Sequence, residues 1–143
     1  AFRARIGHLI TFEETNVAPL SSRYFLGGRD KLRGFSPGAV GPRSSEGSIA
    51  GGDTELVGNS ELSYLVSENV LILSFLDMGQ AFLVRSDGFV GENRNLNDLR
   101  FSPGMGMRYL TPVGPLAIEY GLALNPEHGE RTGRFFAGIG GAF

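Results

Sequence analysis

The feature that most constrains this chain is a period of two in hydrophobicity, sustained over unusually long segments. Between Pro115 and Leu124, for example, Leu116, Ile118 and Tyr120 alternate with small or charged residues. Successive side chains of a β-strand point to opposite faces, so this alternation predicts strands with one apolar and one polar face. The pattern predicts six antiparallel strands, at residues 2–10, 54–65, 70–84, 99–110, 115–124 and 134–143.

Strand length and connection length favour a membrane barrel over a soluble sandwich. Each segment runs about 10 residues or more, the length that crosses a bilayer at barrel tilt, whereas strands average about 5–6 residues in soluble proteins. The connections alternate between long and short, which is typical of extracellular loops and periplasmic turns. We therefore predict an all-β, antiparallel transmembrane barrel whose apolar faces meet lipid. Arg100, Arg108 and Glu119 would face the lumen, while the first half of 70–84 is apolar on both faces and fits the pattern poorly.

The number of strands limits how such a sheet can close. Bacterial membrane barrels begin at about eight strands, and an open sheet leaves unpaired backbone groups that lipid cannot satisfy. We therefore expect the C-terminal part of a larger barrel, or several copies that close one together. The chain opens at Ala1 without a basic and apolar leader, which we interpret as the start of a piece of a longer protein.

Composition excludes several classes of function. The net charge of −2 comes without a Lys/Arg cluster, so nucleic-acid binding has no electrostatic basis. Cysteine is absent, and His8 and His128 lie far apart in the sequence, which argues against a metal site. The residues form no recognisable catalytic constellation; Arg108 and Glu119 are better interpreted as a lumen-lining ion pair. We expect no catalytic residue, no metal and no cofactor.

The connection between the first two predicted strands, residues 11–53, is long and rich in Gly, Pro, Ser and charge. A connection of this length inside a compact domain is usually functional or disordered. We assign residues 1–143 to one barrel portion that contains this loop.

A set of motifs, in the same order along the chain, resembles the BamA/TamA-type outer-membrane assembly factors, the bacterial surface antigen family. The loop carries Gly27-Gly28 and then Leu32-Arg33-Gly34-Phe35. A strand with Phe75-x-Asp77-x-Gly79 follows, then the turn Thr111-Pro112-Val113-Gly114, and the chain ends on Ile139-Gly140-Gly141-Ala142-Phe143. Each motif is weak alone, whereas the ordered set is specific and covers essentially the whole chain.

The resemblance implies roles for particular residues. The extracellular loop would fold into the lumen, and Arg33 would pair with Asp77 and Glu61, both of which the alternation independently places on the lumen face. The planar guanidinium suits this role because it binds carboxylates bidentately. Gly34 would allow a backbone shape closed to other residues. The alternative is that Arg33 is an exposed loop charge. The terminal-strand recognition signal would comprise Ile139, Gly140 and Phe143.

The resemblance also implies a function. The protein would be a non-enzymatic insertase or translocase of the bacterial outer membrane, with unfolded outer-membrane proteins as its substrates. Its other partners would be the lipid bilayer, the rest of its own barrel, periplasmic domains and accessory lipoproteins. A two-partner secretion transporter, which exports a large adhesin, shares the loop tetrad and the Phe-x-Asp-x-Gly strand. A soluble ligand-binding β-barrel or sandwich is a third alternative, disfavoured by the long strands with apolar outer faces.

Overall fold

The computed structural model describes residues 1–10, 18–44, 46–85, 88–89, 98–127 and 129–139. Besides a short 3-10 helix, Leu20–Ser22, the regular elements are strands. They are β1 (Phe2–His8), β2 (Thr54–Ser67), β3 (Val70–Phe82), β4 (Val84–Arg85), β5 (Gly88–Phe89), β6 (Arg100–Thr111), β7 (Gly114–Leu122) and β8 (Gly133–Ile139). In the described part of the chain, no helix is long and apolar enough to cross a membrane.

Six of these strands form one antiparallel sheet in the order β1-β2-β3-β6-β7-β8, so that β1 and β8 are its edges. The all-β antiparallel prediction is therefore confirmed, and the sheet formed by the described residues is open. The described strand ends differ from the predicted ones by at most about two residues, as at β3, which ends at Phe82 rather than at residue 84. The loop predicted after β3 contains the small β4–β5 ladder. The predicted last strand extends to residue 143, but its residues 140–143 lie outside the described part.

The strands present two faces that differ in chemistry. Leu116, Ile118 and Tyr120 are exposed on the outer face, whereas Ala117 and Glu119 are buried on the inner face. The burial of β3 has the same period over Ile72–Asp77. It departs at Gln80 and Phe82, which have outer-face parity yet are buried, because β3 ends there against the returning loop. Asp53 N donates to Phe82 O at 2.9 Å.

Long and short connections leave opposite ends of the sheet. We call the end where β2–β3 and β6–β7 join by tight turns the turn end, and the other the loop end. The connection between β1 and β2 starts at the loop end and folds back over the inner face, where it builds a core. The members of this core are Leu26, Leu32, Phe35, Val40, Val57, Ala81 and Ala123.

Labelling of neighbouring positions should separate the two faces of β7. Ile118→Cys, in a cysteine-free chain, should react with a lipid-soluble maleimide and resist a water-soluble one, whereas Ala117→Cys should resist the lipid-soluble reagent. The reason is that adjacent strand residues point to opposite faces, so a shift of one residue in register would invert both results. Ready reaction of Ile118→Cys with the water-soluble reagent in intact membranes would contradict a lipid-facing outer surface.

Candidate functional site

Inner-face residues of neighbouring strands form rows across the sheet, and two of these rows build the candidate site. In the first row Asn59 of β2, Asp77 of β3 and Ser102 of β6 are register partners. The next row toward the turn end contains Glu61, Phe75, Gly104 and Gly121. Because two members of that row have no side chain, the inner face has a notch above β6 and β7.

The loop that enters this notch is shaped by its own backbone hydrogen bonds. Leu26 and Val40 exchange two of them, at 2.9 and 3.0 Å. Gly28 N donates to Phe35 O, and Leu32 N donates to Gly28 O, so the segment between them forms a tight hairpin tip. Gly28 has a φ of +90°, a conformation that favours glycine. The chain thereby presents Leu32-Arg33-Gly34-Phe35, all buried, to the sheet.

The structure brings Arg33 to both predicted carboxylates. Its Nε and Nη2 donate to the two oxygens of Asp77, each at 2.9 Å, and its Nη1 donates to Glu61 at 3.0 Å. The backbone N–H of Arg33 also donates to Asp77, at 3.1 Å. Arg33 is 1% exposed and Asp77 is fully buried. The bidentate geometry is the strong form of the arginine–carboxylate contact.

Two further charged residues complete the network, and sequence reasoning interpreted them only as a separate pair. Arg108 donates to Glu61 at 2.7 and 3.0 Å and to Glu119 at 2.9 Å. Glu119 also lies 3.4 Å from Nη1 of Arg33. Two arginines therefore contact three carboxylates contributed by β2, β3 and β7, and both arginines contact Glu61 and Glu119. The inner-face parity of Glu119 and Arg108 was the available signal, but parity alone does not reveal a shared partner.

An aromatic ring lies against the guanidinium. Cζ of Arg33 is 3.4 Å from the ring centroid of Phe75, which is the distance of a stacked cation–π contact. A Cβ on Gly104 would lie 2.1 Å from this ring, so the glycine makes room for it. The contact explains why one apolar residue, Phe75, lies on the inner face in the first half of β3: the guanidinium of Arg33 stacks on it.

Two neutral side chains hold the loop and Asp77 in register. The amide of Asn59 donates to Lys31 O at 2.8 Å and to Asp77 Oδ1 at 2.9 Å. The hydroxyl of Ser102 accepts a hydrogen bond from Gly34 N at 2.6 Å. Asn59 and Ser102 were not predicted, since no local pattern distinguishes them from other polar inner-face residues. Both connect the barrel wall to the loop backbone, and Asn59 also holds the Asp77 carboxylate.

The expected reason for glycine at position 34 was wrong. Gly34 is not among the residues with positive φ, so it needs no special backbone shape. It needs space, because a Cβ there would lie 2.2 Å from Leu122 O. A Cβ on Gly121 would likewise lie 2.7 Å from Gly34 N. The loop and β7 therefore touch backbone to backbone, through a pair of glycines.

Arg33 keeps its positive charge in this network. Burial alone would lower the pKa of Arg33, but the hydrogen bonds and the charge of Asp77, with help from Glu61 and Glu119, outweigh burial and raise this pKa. Arg33 therefore stays protonated. Such an arrangement can fix the position of a loop. Within the described residues, no group of three or more His, Cys, Asp or Glu side chains could hold a metal ion.

The predicted terminal signal lies apart from this network. Ile139, at the end of β8, is 70% exposed on the outer face and pairs with Leu116. Gly140 and Phe143 lie outside the described residues. The structure thus joins the loop motif to Glu61 and Asp77, while the proposed recognition role of the last strand remains a prediction.

Comparison with known proteins places these features in context. The model of the Omp85 superfamily domain matches residues 1–143. The outer membrane protein assembly factor BamA of Nitratidesulfovibrio vulgaris is 31% identical over 99% of the chain, and the chloroplastic outer envelope protein 80 of Arabidopsis thaliana is 33% identical over 82%. The chain spans only 18% and 14% of the lengths of these relatives.

A solved structure supports the fold. The crystal structure of BamA from Haemophilus ducreyi lacking POTRA domains 1–3 superposes with a TM-score of 0.59 at 23% identity. The match covers 82% of this chain and 27% of that one.

Proposed function

Because the chain belongs to the Omp85 superfamily, we propose that it forms the C-terminal part of the barrel of an outer-membrane protein assembly factor. This factor inserts unfolded β-barrel proteins into the outer membrane without catalysing a covalent step. The observation that carries the proposal is the buried contact of Arg33 with Asp77 and Glu61, which holds the family's loop motif on the barrel wall. The name of one relative, an outer membrane protein assembly factor, supports the proposed function, and the name of the other supports only an outer-envelope location.

The two edges of the sheet are where partner strands would bind. β1 and β8 are the two edges of the described sheet. β1 would pair with an upstream strand of the same barrel, since a lipid-exposed edge leaves backbone groups unsatisfied. β8 would accept a strand of the substrate by β-augmentation, in which backbone hydrogen bonds supply the affinity. Accessory lipoproteins and periplasmic domains would bind outside the residues described above.

Depletion of the complete protein in its native bacterium tests the function. The expected result is a fall in the folded, heat-modifiable forms of many outer-membrane proteins, with their unfolded forms accumulating in the periplasm. Restoring the wild-type gene should reverse both changes. A protein of the same membrane that has no transmembrane β-barrel, such as a lipoprotein anchored only by its lipid, serves as the control.

The secretion alternative predicts a different pattern. A two-partner secretion transporter would lose export of one large adhesin on depletion, and the folding of other barrels would be unchanged. That outcome would reject the assembly function while leaving the fold and the loop network intact.

A further inference from the structure

A second cluster of charged side chains lies at the loop end, separate from the Arg33 network. It consists of Arg43 of the long loop, Arg100 at the start of β6, and Glu127 and Glu130 of the connection between β7 and β8. Glu127 accepts hydrogen bonds from both arginines. Glu130 lies 2.8 Å from Nη2 of Arg43 and 3.8 Å from Nη1 of Arg100. Each carboxylate is therefore shared by both guanidinium groups.

The loop presents Arg43 on a small hairpin. Ala50 N donates to Pro42 O at 2.7 Å, and Ser44 N donates to Ser48 O at 2.8 Å. Nη1 of Arg43 donates to Gly47 O at 3.0 Å, across the same hairpin. The guanidinium therefore keeps a defined direction, because its own hairpin holds one of its nitrogens.

The β7–β8 connection, which carries Glu127 and Glu130, is held in place by its own hydrogen bonds. Leu124 N donates to Phe101 O at 2.9 Å, which fixes the start of the β7–β8 connection to β6. Arg100 also donates to the backbone carbonyl of Asn125. Glu130 N donates to Glu127 O, and Glu127 N donates to the Glu130 carboxylate, both at 2.9 Å. The connection is thus a compact turn that offers two carboxylates to Arg43.

The charges of this cluster balance, and part of it is open to water. Two arginines face two glutamates, so no charge is left without an opposite neighbour. The side chains of Arg43 and Glu127 are 33% and 38% exposed, whereas those of Arg100 and Glu130 are about one-tenth exposed. The hydrogen bond to Glu127 is the main cause of a raised pKa at Arg43. Water access makes these contacts weaker and more sensitive to salt than the Arg33 network.

We propose that Arg43, Arg100, Glu127 and Glu130 form an ionic clasp that ties the long loop to the β7–β8 connection and thereby restrains β8, an edge strand of the sheet. The clasp would also affect how a substrate strand adds to the β8 edge, and this part of the inference rests on the proposed function. The restraint itself does not rest on it. Any movement of β8 that accompanies the addition of a substrate strand at its edge would have to break the clasp or carry the loop along.

Charge reversal in the complete protein, in phospholipid vesicles, tests the clasp. In the Arg43→Glu variant, the new glutamate joins Glu127 and Glu130, and Arg100 is the one arginine left in the cluster. We expect backbone amides of β8 to exchange with deuterium roughly tenfold faster, the change that follows from losing about 1.4 kcal/mol of restraint. The swap Arg43→Glu with Glu127→Arg restores two charges of each sign and should return exchange to within about twofold of wild type. Arg131→Glu, an exposed change of the same size in the same connection, should leave β8 unaffected.

Salt dependence supplies an independent readout. Raising the salt from 0.1 to 1 M shortens the screening length from about 10 to about 3 Å. Exchange in β8 should then speed up in the wild type, where attraction is screened, and slow down in Arg43→Glu, where repulsion is screened. Slow exchange in the β2–β3 pair would show that each variant is folded.

Two outcomes would overturn the clasp. One is wild-type exchange of β8 in a folded Arg43→Glu variant, and the other is failure of the swap to restore slow exchange. Neither outcome depends on assembly activity, so the clasp can fail while the depletion experiment upholds the proposed function. The reverse is also distinguishable, since a secretion pattern on depletion would leave the exchange results unchanged.

Discussion

Arg33→Ala should release the long loop from the barrel wall and abolish most assembly activity of the complete protein. Removing the guanidinium leaves Asp77, Glu61 and Glu119 with Arg108 as the remaining arginine of the network. Removing one partner of a buried ion pair costs about 3–5 kcal/mol, because the charge left behind is uncompensated. The loop should then become sensitive to protease added outside intact cells. The free energy of unfolding, measured with urea in phospholipid vesicles, should fall by a similar amount.

Arg33→Lys separates the role of charge from the role of shape. A lysine keeps the positive charge but lacks the planar fork that contacts Asp77 through two nitrogens and Glu61 through a third. It also lacks the flat group that stacks on Phe75. We therefore expect Arg33→Lys to recover less than half of the lost stability. Arg131→Ala, an exposed control, should change stability by no more than about 0.5 kcal/mol.

The contrary result is a protected loop and near-wild-type stability in Arg33→Ala. The Arg33 network would then be irrelevant to loop position, and the core around Leu32 and Phe35 would be holding the loop unaided. Full rescue by lysine would mean that charge, rather than bidentate geometry and stacking, is what the site requires.

The second large effect is expected from one methyl group. Gly121→Ala would place a Cβ 2.7 Å from Gly34 N and 2.8 Å from the carbonyl carbon of Arg33. Both neighbours are backbone atoms, so the strain cannot be relieved by rotating a side chain. Overpacking typically costs about 1–3 kcal/mol, and here it also displaces the segment that carries Arg33. Urea unfolding and protease sensitivity of the loop should both change in the same direction as in Arg33→Ala.

Gly58→Ala is the matched control for this substitution. It changes glycine to alanine in a strand of the same sheet, but the added Cβ meets the flexible end of the Met78 side chain on the outer face. Met78 can move, so we expect a change of no more than about 0.5 kcal/mol. Equal stability losses in the two variants would indicate a general intolerance of alanine and would reject the close approach of loop and β7.

Much of the architecture could be predicted because one local rule, alternation, acts on every strand. It identified the two faces of β7 and the inner position of Asp77. The family resemblance, rather than any local pattern, supplied the pairing of Arg33 with Asp77 and Glu61, residues 44 and 28 positions away along the chain. The buried position of Phe82 was not predictable from parity, since it depends on where the loop returns to the sheet.

Other features were beyond sequence reasoning because they arise only when distant backbones meet. For Gly34 the predicted reason, an unusual backbone conformation, was wrong, and the observed reason is lack of space for a side chain. A sequence does not distinguish these two requirements for glycine. The partnership of Arg43 with Glu127 joins residues 84 positions apart in two irregular connections. Irregular segments have no periodicity, so the alternation of apolar and polar residues that predicted the strands gives no information about these two connections.

The distances along the chain between Arg33 and its carboxylates have a consequence for the order of folding. Asp77, Glu61 and Glu119 come from β3, β2 and β7, and Glu119 is 86 residues from Arg33. Contacts of such long range form late, because the chain between them must be ordered first. Until β7 has joined the sheet, the guanidinium of Arg33 would lose its water without gaining its contact with Glu119. The loop therefore docks only after the sheet has formed through β7. In a sheet that is still incomplete, the loop remains in contact with water.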